Sequence, residues 1–164
     1  MEPYEPIVLQ NQKEWDANVA SMDQYTVPWL DLDMESVLAF AEGTLSGFHK
    51  PSGNIQIPML RKIRKLLYGD IKGKKVLCLA SGGGQQSAVF SLLGAEVTVA
   101  DISQGQLNGD IKAARHYGYE IQTVQCSMTD LSVLRPTRSI LCTSPFPSAS
   151  SPTSCPCTKK FTGF

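Results

Sequence analysis

Lys75-Val76-Leu77-Cys78-Leu79-Ala80-Ser81-Gly82-Gly83-Gly84-Gln85-Gln86-Ser87 is the stretch whose reading decides the fold. Val76 to Ala80 is an apolar run of strand length, and it meets three consecutive glycines. A helical pattern follows in Ala88, Val89, Phe90, Leu92 and Leu93, and Gly94 stops it. Strand, glycine turn and helix make the first unit of a doubly wound α/β fold. Glycine has no Cβ, so the chain can turn sharply there and a ligand can approach the backbone closely. The N–H groups at the helix start are expected to face a bound ligand.

The next segment extends the pattern. Glu96-Val97-Thr98-Val99-Ala100 is β-branched and apolar, and Asp101 ends it, 19 residues after Gly82. In nucleotide-binding βαβ units an acid at about this distance accepts hydrogen bonds from ribose hydroxyls. The plainer alternative is an ordinary βαβ unit with a tight turn and a helix-capping Asp. Three adjacent glycines weigh against it, because they cost unfolded-state entropy unless the backbone needs them. Ser103 is a plausible N-cap for a helix from Gln104 to about Tyr117, with Gly118 at its end. Gly105 and Gly109 weaken that helix by roughly 1 kcal/mol each relative to Ala. Either they allow close approach to a bound cofactor or the first turns are loose. Tyr119 to Gln125 alternates and reads as a third strand, followed by Cys126-Ser127-Met128-Thr129-Asp130-Leu131.

Gly82-x-Gly84-x-x-Ser87 is close to the G-x-G-x-x-G/A of dinucleotide binders, so the glycines alone leave NAD and S-adenosylmethionine both open. The wider text is more specific. Val76 to Gln86, then Gly94 to Val99, then Asp101-Ile102-Ser103 with Gln106-Leu107, resembles a class I S-adenosylmethionine-dependent methyltransferase of the small-molecule type. The likeness covers roughly residues 10 to 134 and is most specific from 75 to 107. It implies the N-terminal half of a Rossmann-like methyltransferase sheet, with three strands recognisable. It also implies S-adenosylmethionine as cofactor and a small-molecule methyl acceptor. Ala80, Ser81, Gly82, Gly83 and Gly84 would form the loop near the cofactor's amino-acid part. Asp101 would hold the ribose and Ile102 would pack on the adenine. Ser103 and Gln106 lie in the same matching stretch, and Ser127 with Met128 would edge the base. The family usually reads Gly-Asp-Met-x-Asp-Leu where this chain has Cys126 to Leu131. Ser127 replaces the Asp, leaving a weaker neutral partner for the adenine amino group. No general base can be named.

The N-terminal region reads as a helical cap and linker over residues 1–74. Residues 1–10 look extended, because Pro3 and Pro6 argue against helix. A short helix is expected from Asn11 to about Met22, with Trp15 and Val19 on one face. A second runs from Met34 to Ala41, with Asp33 as N-cap and Gly43 as stop. Trp15, Tyr25 and Trp29 could form a lid on the pocket, but the plainer reading staples the helices to the sheet. Residues 44–56 read as loop. Ile57 to about Tyr68 reads as a helix whose Arg61, Lys62, Arg64 and Lys65 form a solvated basic face. His49 and His116 read as surface residues.

Length and composition bound the rest. A chain of 164 residues with 42% hydrophobic content makes one domain. Net charge is zero, so a general nucleic-acid footprint is not expected. No window reads as a membrane span, and the first residues lack the pattern of a signal peptide. Five irregularly spaced cysteines do not read as a disulfide framework, and Cys155-Pro156-Cys157 alone is too little for a metal site. The expected location is the cytoplasm, and oligomeric state is not legible. The rival readings are an NAD(P)-binding oxidoreductase fragment and a non-catalytic α/β interaction module.

From Arg135 the text changes. All 15 acids lie at or before Asp130, while residues 135–164 hold five Pro, six Ser, five Thr and no acid. The core is therefore expected over 75–134, and 135–164 as an irregular, low-complexity Ser/Pro/Thr-rich tail. The resembled family should place its fourth strand here. A one-nucleotide slip of the reading frame near Leu134 would account for its loss. Ser139 to Pro145 can be encoded TCG ATA TTG TGT ACC AGC CCA, which from the third base reads Asp-Ile-Val-Tyr-Gln-Pro. On this reading the methyltransferase is truncated.

Overall fold

A computed structural model describes residues 6–42, 44, 48–50, 53–55, 71–128, 130–134 and 141–143. The expected Ile57–Tyr68 helix, the Gly43 stop and the Cys155-Pro156-Cys157 stretch lie outside the described residues.

The quoted stretch folds as read. Strand β3 (Lys75–Leu79) runs into the glycine turn, and helix α3 (Gln86–Leu92) follows. Strand β4 (Glu96–Asp101) pairs parallel to β3, with Val76 opposite Val97 and Cys78 opposite Val99. Helix α4 (Gln104–Tyr117) ends at Gly118, whose left-handed φ of 74° lets its N–H reach back to the Ala114 carbonyl. Strand β5 (Gln122–Gln125) is shorter than the expected Tyr119–Gln125 run and pairs parallel to β4. Strand β6 (Leu141–Thr143) pairs parallel to the other side of β3. The sheet order is β5-β4-β3-β6.

β6 lies inside the stretch expected to be irregular. A three-residue strand is too short to leave a period in the sequence. The expected 44–56 loop likewise contains two short strands, β1 (Phe48–Lys50) and β2 (Gly53–Ile55), paired antiparallel.

Alternation along β3 and β4 sorts the core into two faces. Val76, Cys78, Val97 and Val99 meet Val89 and Phe90 of α3, Leu107 and Ala113 of α4, and Trp29, Leu32 and Val37 from the N-terminal region. Leu77, Leu79 and Ala100 face the other way, with Cys126 and the partly buried Val124, Leu131 and Leu134.

Helix α1 spans Pro6–Ala20, earlier than expected. Pro6 stands in its first turn, where a proline loses no intrahelical bond, so it starts the helix rather than opposing it. Helix α2 (Met34–Ala41) begins as expected, with the Asp33 carboxylate accepting from Glu35 N–H (3.3 Å) and Ser36 N–H (3.0 Å). The Tyr117 hydroxyl ties this region down. It accepts from Leu32 N–H (2.9 Å) and donates to the Trp29 carbonyl (3.0 Å). Among the described residues no helix is long and apolar enough to cross a membrane.

Candidate cofactor site

The C-terminal ends of β3, β4 and β5 lie side by side, so the loops that leave them converge. Parallel α/β sheets place ligands at this end of their strands. Here a cavity of about 310 Å³ opens. Its floor comes from the loop after β3 (Ala80, Ser81, Gly82), the end of β4 (Asp101, Ile102) and the loop after β5 (Cys126, Ser127, Met128). Gln85 and Gln86 at the start of α3 and Gln106 of α4 join it, and Ile7, Val8, Asn11, Trp15 and Tyr25 form the N-terminal wall.

Among the described residues Asp101 is the charged residue of this lining. Its Oδ2 accepts from Gly82 N–H (3.0 Å) and its Oδ1 from Ser103 N–H (3.0 Å). Burial pushes its carboxyl above the usual range, the backbone N–H donors of Ser103, Gly82 and Ile102 pull the other way, and the Asp16 charge adds to the rise. A carboxylate offers about four lone-pair sites, so these N–H bonds still leave capacity for a ligand hydroxyl. Burial also pushes the Cys126 thiol up, with Asp130 and Asp101 adding to it, so this thiol is a poor nucleophile.

Ser103 is wholly buried and does not line the cavity. Its hydroxyl accepts from Gln106 N–H (3.1 Å), capping α4, and donates to Asp16 Oδ1 (2.5 Å) on α1. A Cβ on Gly105 would stand 3.2 Å from Val19 Cγ1, so this glycine serves the contact between α1 and α4.

The glycine loop differs from expectation in where its N–H groups go. Gly83 N–H donates to Asp110 Oδ2 (3.0 Å) and to the Gln106 carbonyl (2.9 Å), and Gly84 N–H donates to Asp110 Oδ1 (3.1 Å). Those donors face α4, not the cavity, and neither glycine lines it. The second α4 glycine explains how. A Cβ on Gly84 would sit 2.5 Å from the Gly109 carbonyl oxygen, and one on Gly109 would sit 2.9 Å from Gly83 Cα. Loop and helix touch backbone to backbone. Trp29 N–H donates to the Gly84 carbonyl (3.1 Å), and Gln85 Nε2 donates to the Gln24 (3.0 Å) and Val27 (2.9 Å) carbonyls.

Of the residues singled out in the sequence, Ala80, Ser81, Gly82, Asp101, Ile102, Gln106, Ser127 and Met128 share the cavity. Gly83, Gly84 and Ser103 stand behind it. Trp15 and Tyr25 belong to the wall, whereas Trp29 is packed in the core. Sequence reasoning missed Ile7, Val8, Asn11, Gln85, Gln86 and Cys126. Reading Pro6 as a helix breaker hid Ile7 and Val8. For Gln85 and Gln86, their place directly after the glycines was the available signal.

A parallel sheet with a strand–glycine turn–helix unit and a buried acid at the next strand's end defines a Rossmann-like α/β unit. The chain is 39% identical over 127 residues to the uncharacterized methyltransferase YbaJ of Bacillus subtilis (strain 168). That match covers 77% of this chain and 46% of the relative, so the chain spans about half the relative's length. It is thus a relative of that methyltransferase. No protein-family model matches the chain. Among solved structures, it is 13% identical to geranyl diphosphate C-methyltransferase from Streptomyces coelicolor A3(2), with TM-score 0.46, covering 79% of this chain and 51% of that one. A putative RNA methyltransferase from Pyrococcus horikoshii gives 24% identity and TM-score 0.39, covering 59% and 50%. At these scores the solved structures add nothing to the assignment.

Proposed function

We propose that this chain carries the cofactor half of an S-adenosylmethionine-dependent methyltransferase acting on a small molecule. The observation that carries the reading is the cavity itself. It gathers Ala80, Ser81, Gly82, Asp101, Ile102, Gln106, Ser127 and Met128 beneath an apolar and aromatic wall.

The residues fit the group. Gln106 is buried, and its Oε1 has no hydrogen-bond donor among the described residues. An acceptor in that state suits the ammonium of the cofactor's amino-acid part. A Cβ on Gly82 would stand 3.1 Å from Asp101 Oδ2 and 2.6 Å from Gln106 Cβ, so only glycine keeps the loop, the acid and α4 this close. Asp101 is placed to accept from ribose hydroxyls. Ile102 offers an apolar face to the adenine, with Ser127 and Met128 along its edge. When bound, the cofactor supplies an electrophilic sulfonium methyl. The protein's share of the work is placement and exclusion of water by the α1 wall. We place the cap and linker at 1–74, the cofactor core at 75–134 and the tail at 135–164, with the tail out of frame. Resequencing the gene across codons 125–170 tests the tail.

Calorimetric titration with S-adenosylhomocysteine tests the site. Wild type should bind saturably, and Asp101→Ala should weaken binding by about 1–3 kcal/mol. NADH fluorescence should not respond to the protein. Unchanged affinity in Asp101→Ala would remove that carboxylate from the site.

A further inference from the structure

We infer that Asp110, which does not line the cavity, is the positioning residue that sets the conformation of the cofactor loop. The inference rests on the cofactor reading above. Asp110 stands in the second turn of α4 and is wholly buried. One carboxylate gathers three donors: Gly83 N–H at Oδ2 (3.0 Å), Gly84 N–H at Oδ1 (3.1 Å) and the Ser87 hydroxyl, also at Oδ1. All three belong to the glycine loop and the first turn of α3. Gly82, which does line the cavity, is the next residue along the chain. Gly83 and Gly84 have φ values of 105° and 72°, in a region most residues avoid. Two successive N–H groups aimed at one carboxylate hold that conformation.

A buried anion is costly, and its retention calls for compensating bonds. Burial pushes the Asp110 carboxyl up to about 7, against the pull of Ser87, Gly83 and Gly84 and with a further push from the Asp101 charge. The titratable groups facing it are Asp101 at the end of β4 and Tyr119, after α4, whose own hydroxyl is pushed up by burial and then by Asp110. A carboxylate accepts from all three loop donors. A protonated carboxyl turns one oxygen into a donor and opposes one of them.

The test uses the full chain and two readouts. The amide resonances of Gly83 and Gly84 should titrate together with a midpoint near 7 in wild type. Asp110→Asn should abolish that titration. It should also bind S-adenosylhomocysteine about ten-fold more weakly at pH 8, with less loss at pH 6, where wild type weakens too. Should Asp110→Asn fail to fold, Ser87→Ala removes one donor and should move the amide midpoint upward. Amides that do not titrate, or a midpoint unmoved by Ser87→Ala, overturn the inference. So does an Asp110→Asn protein that binds as wild type does at every pH. Wild type that shows the amide titration yet does not bind S-adenosylhomocysteine overturns the cofactor reading, and the loop's role with it.

Discussion

Gly84 and Gly109 illustrate how a residue's worth depends on what lies opposite. In an exposed helix, Gly→Ala gains about 1 kcal/mol. Gly109→Ala should instead lose about 1–3 kcal/mol in urea denaturation, because the new Cβ would press into the Gly83 backbone 2.9 Å away. A gain in stability would mean that loop and helix do not touch. Ala80 carries the opposite lesson. It is a non-glycine residue with φ of 44° at the cavity floor. Ala80→Gly should relieve that strain and raise stability by about 1 kcal/mol. The glycine triplet was legible because three glycines in a row cost too much chain entropy to stand where any other residue would serve. Its partner was not. Asp110 lies 27 residues beyond Gly83, and nothing local marks an acid in a helix as buried.

Among the elements, those with strong ends were read well. The α4 boundaries were legible from Ser103 and Gly118, whose cap bonds form as their types demand. Ser103→Ala should cost about 1 kcal/mol or more in thermal melts, since the hydroxyl both caps α4 and holds Asp16 of α1. Loss no larger than that of an exposed Ser→Ala would separate α1 from α4. Tyr117→Phe should cost about 1–2 kcal/mol by leaving Leu32 N–H and the Trp29 carbonyl without their partner. β1, β2 and β6 were not legible, because three residues hold too little pattern. The start of α1 was missed for a different reason. Pro6 sits in a first turn, where proline is tolerated, and not in a helix interior, where it would break the helix.

For the whole molecule, the sheet brings together strand ends that sequence places far apart, and that convergence makes the cavity. The wall from α1 was legible only at Trp15, since nothing local marks Ile7, Val8 or Asn11 as facing a cavity. Buried Asp110 also gives the molecule a pH dependence of defined sign. The unfolded chain releases this proton near 3.8 and the folded chain near 7, so between those values the folded state holds more protons. Stability from this group is full below the unfolded value and is lost as pH rises through about 7. The stability of wild type relative to Asp110→Asn should therefore fall between about pH 4 and 7 in urea titrations and level off above that. A flat or rising difference would mean that the carboxyl is not buried as described.

On the proposed function, one cavity built from the ends of three parallel strands holds S-adenosylmethionine. The most direct measurement is a backbone NMR titration of the labelled chain with S-adenosylhomocysteine. Gly82, Asp101, Ile102, Gln106, Ser127 and Met128 should shift together and saturate at one ligand per chain. Shifts that spare these residues, or none at millimolar ligand, would contradict it.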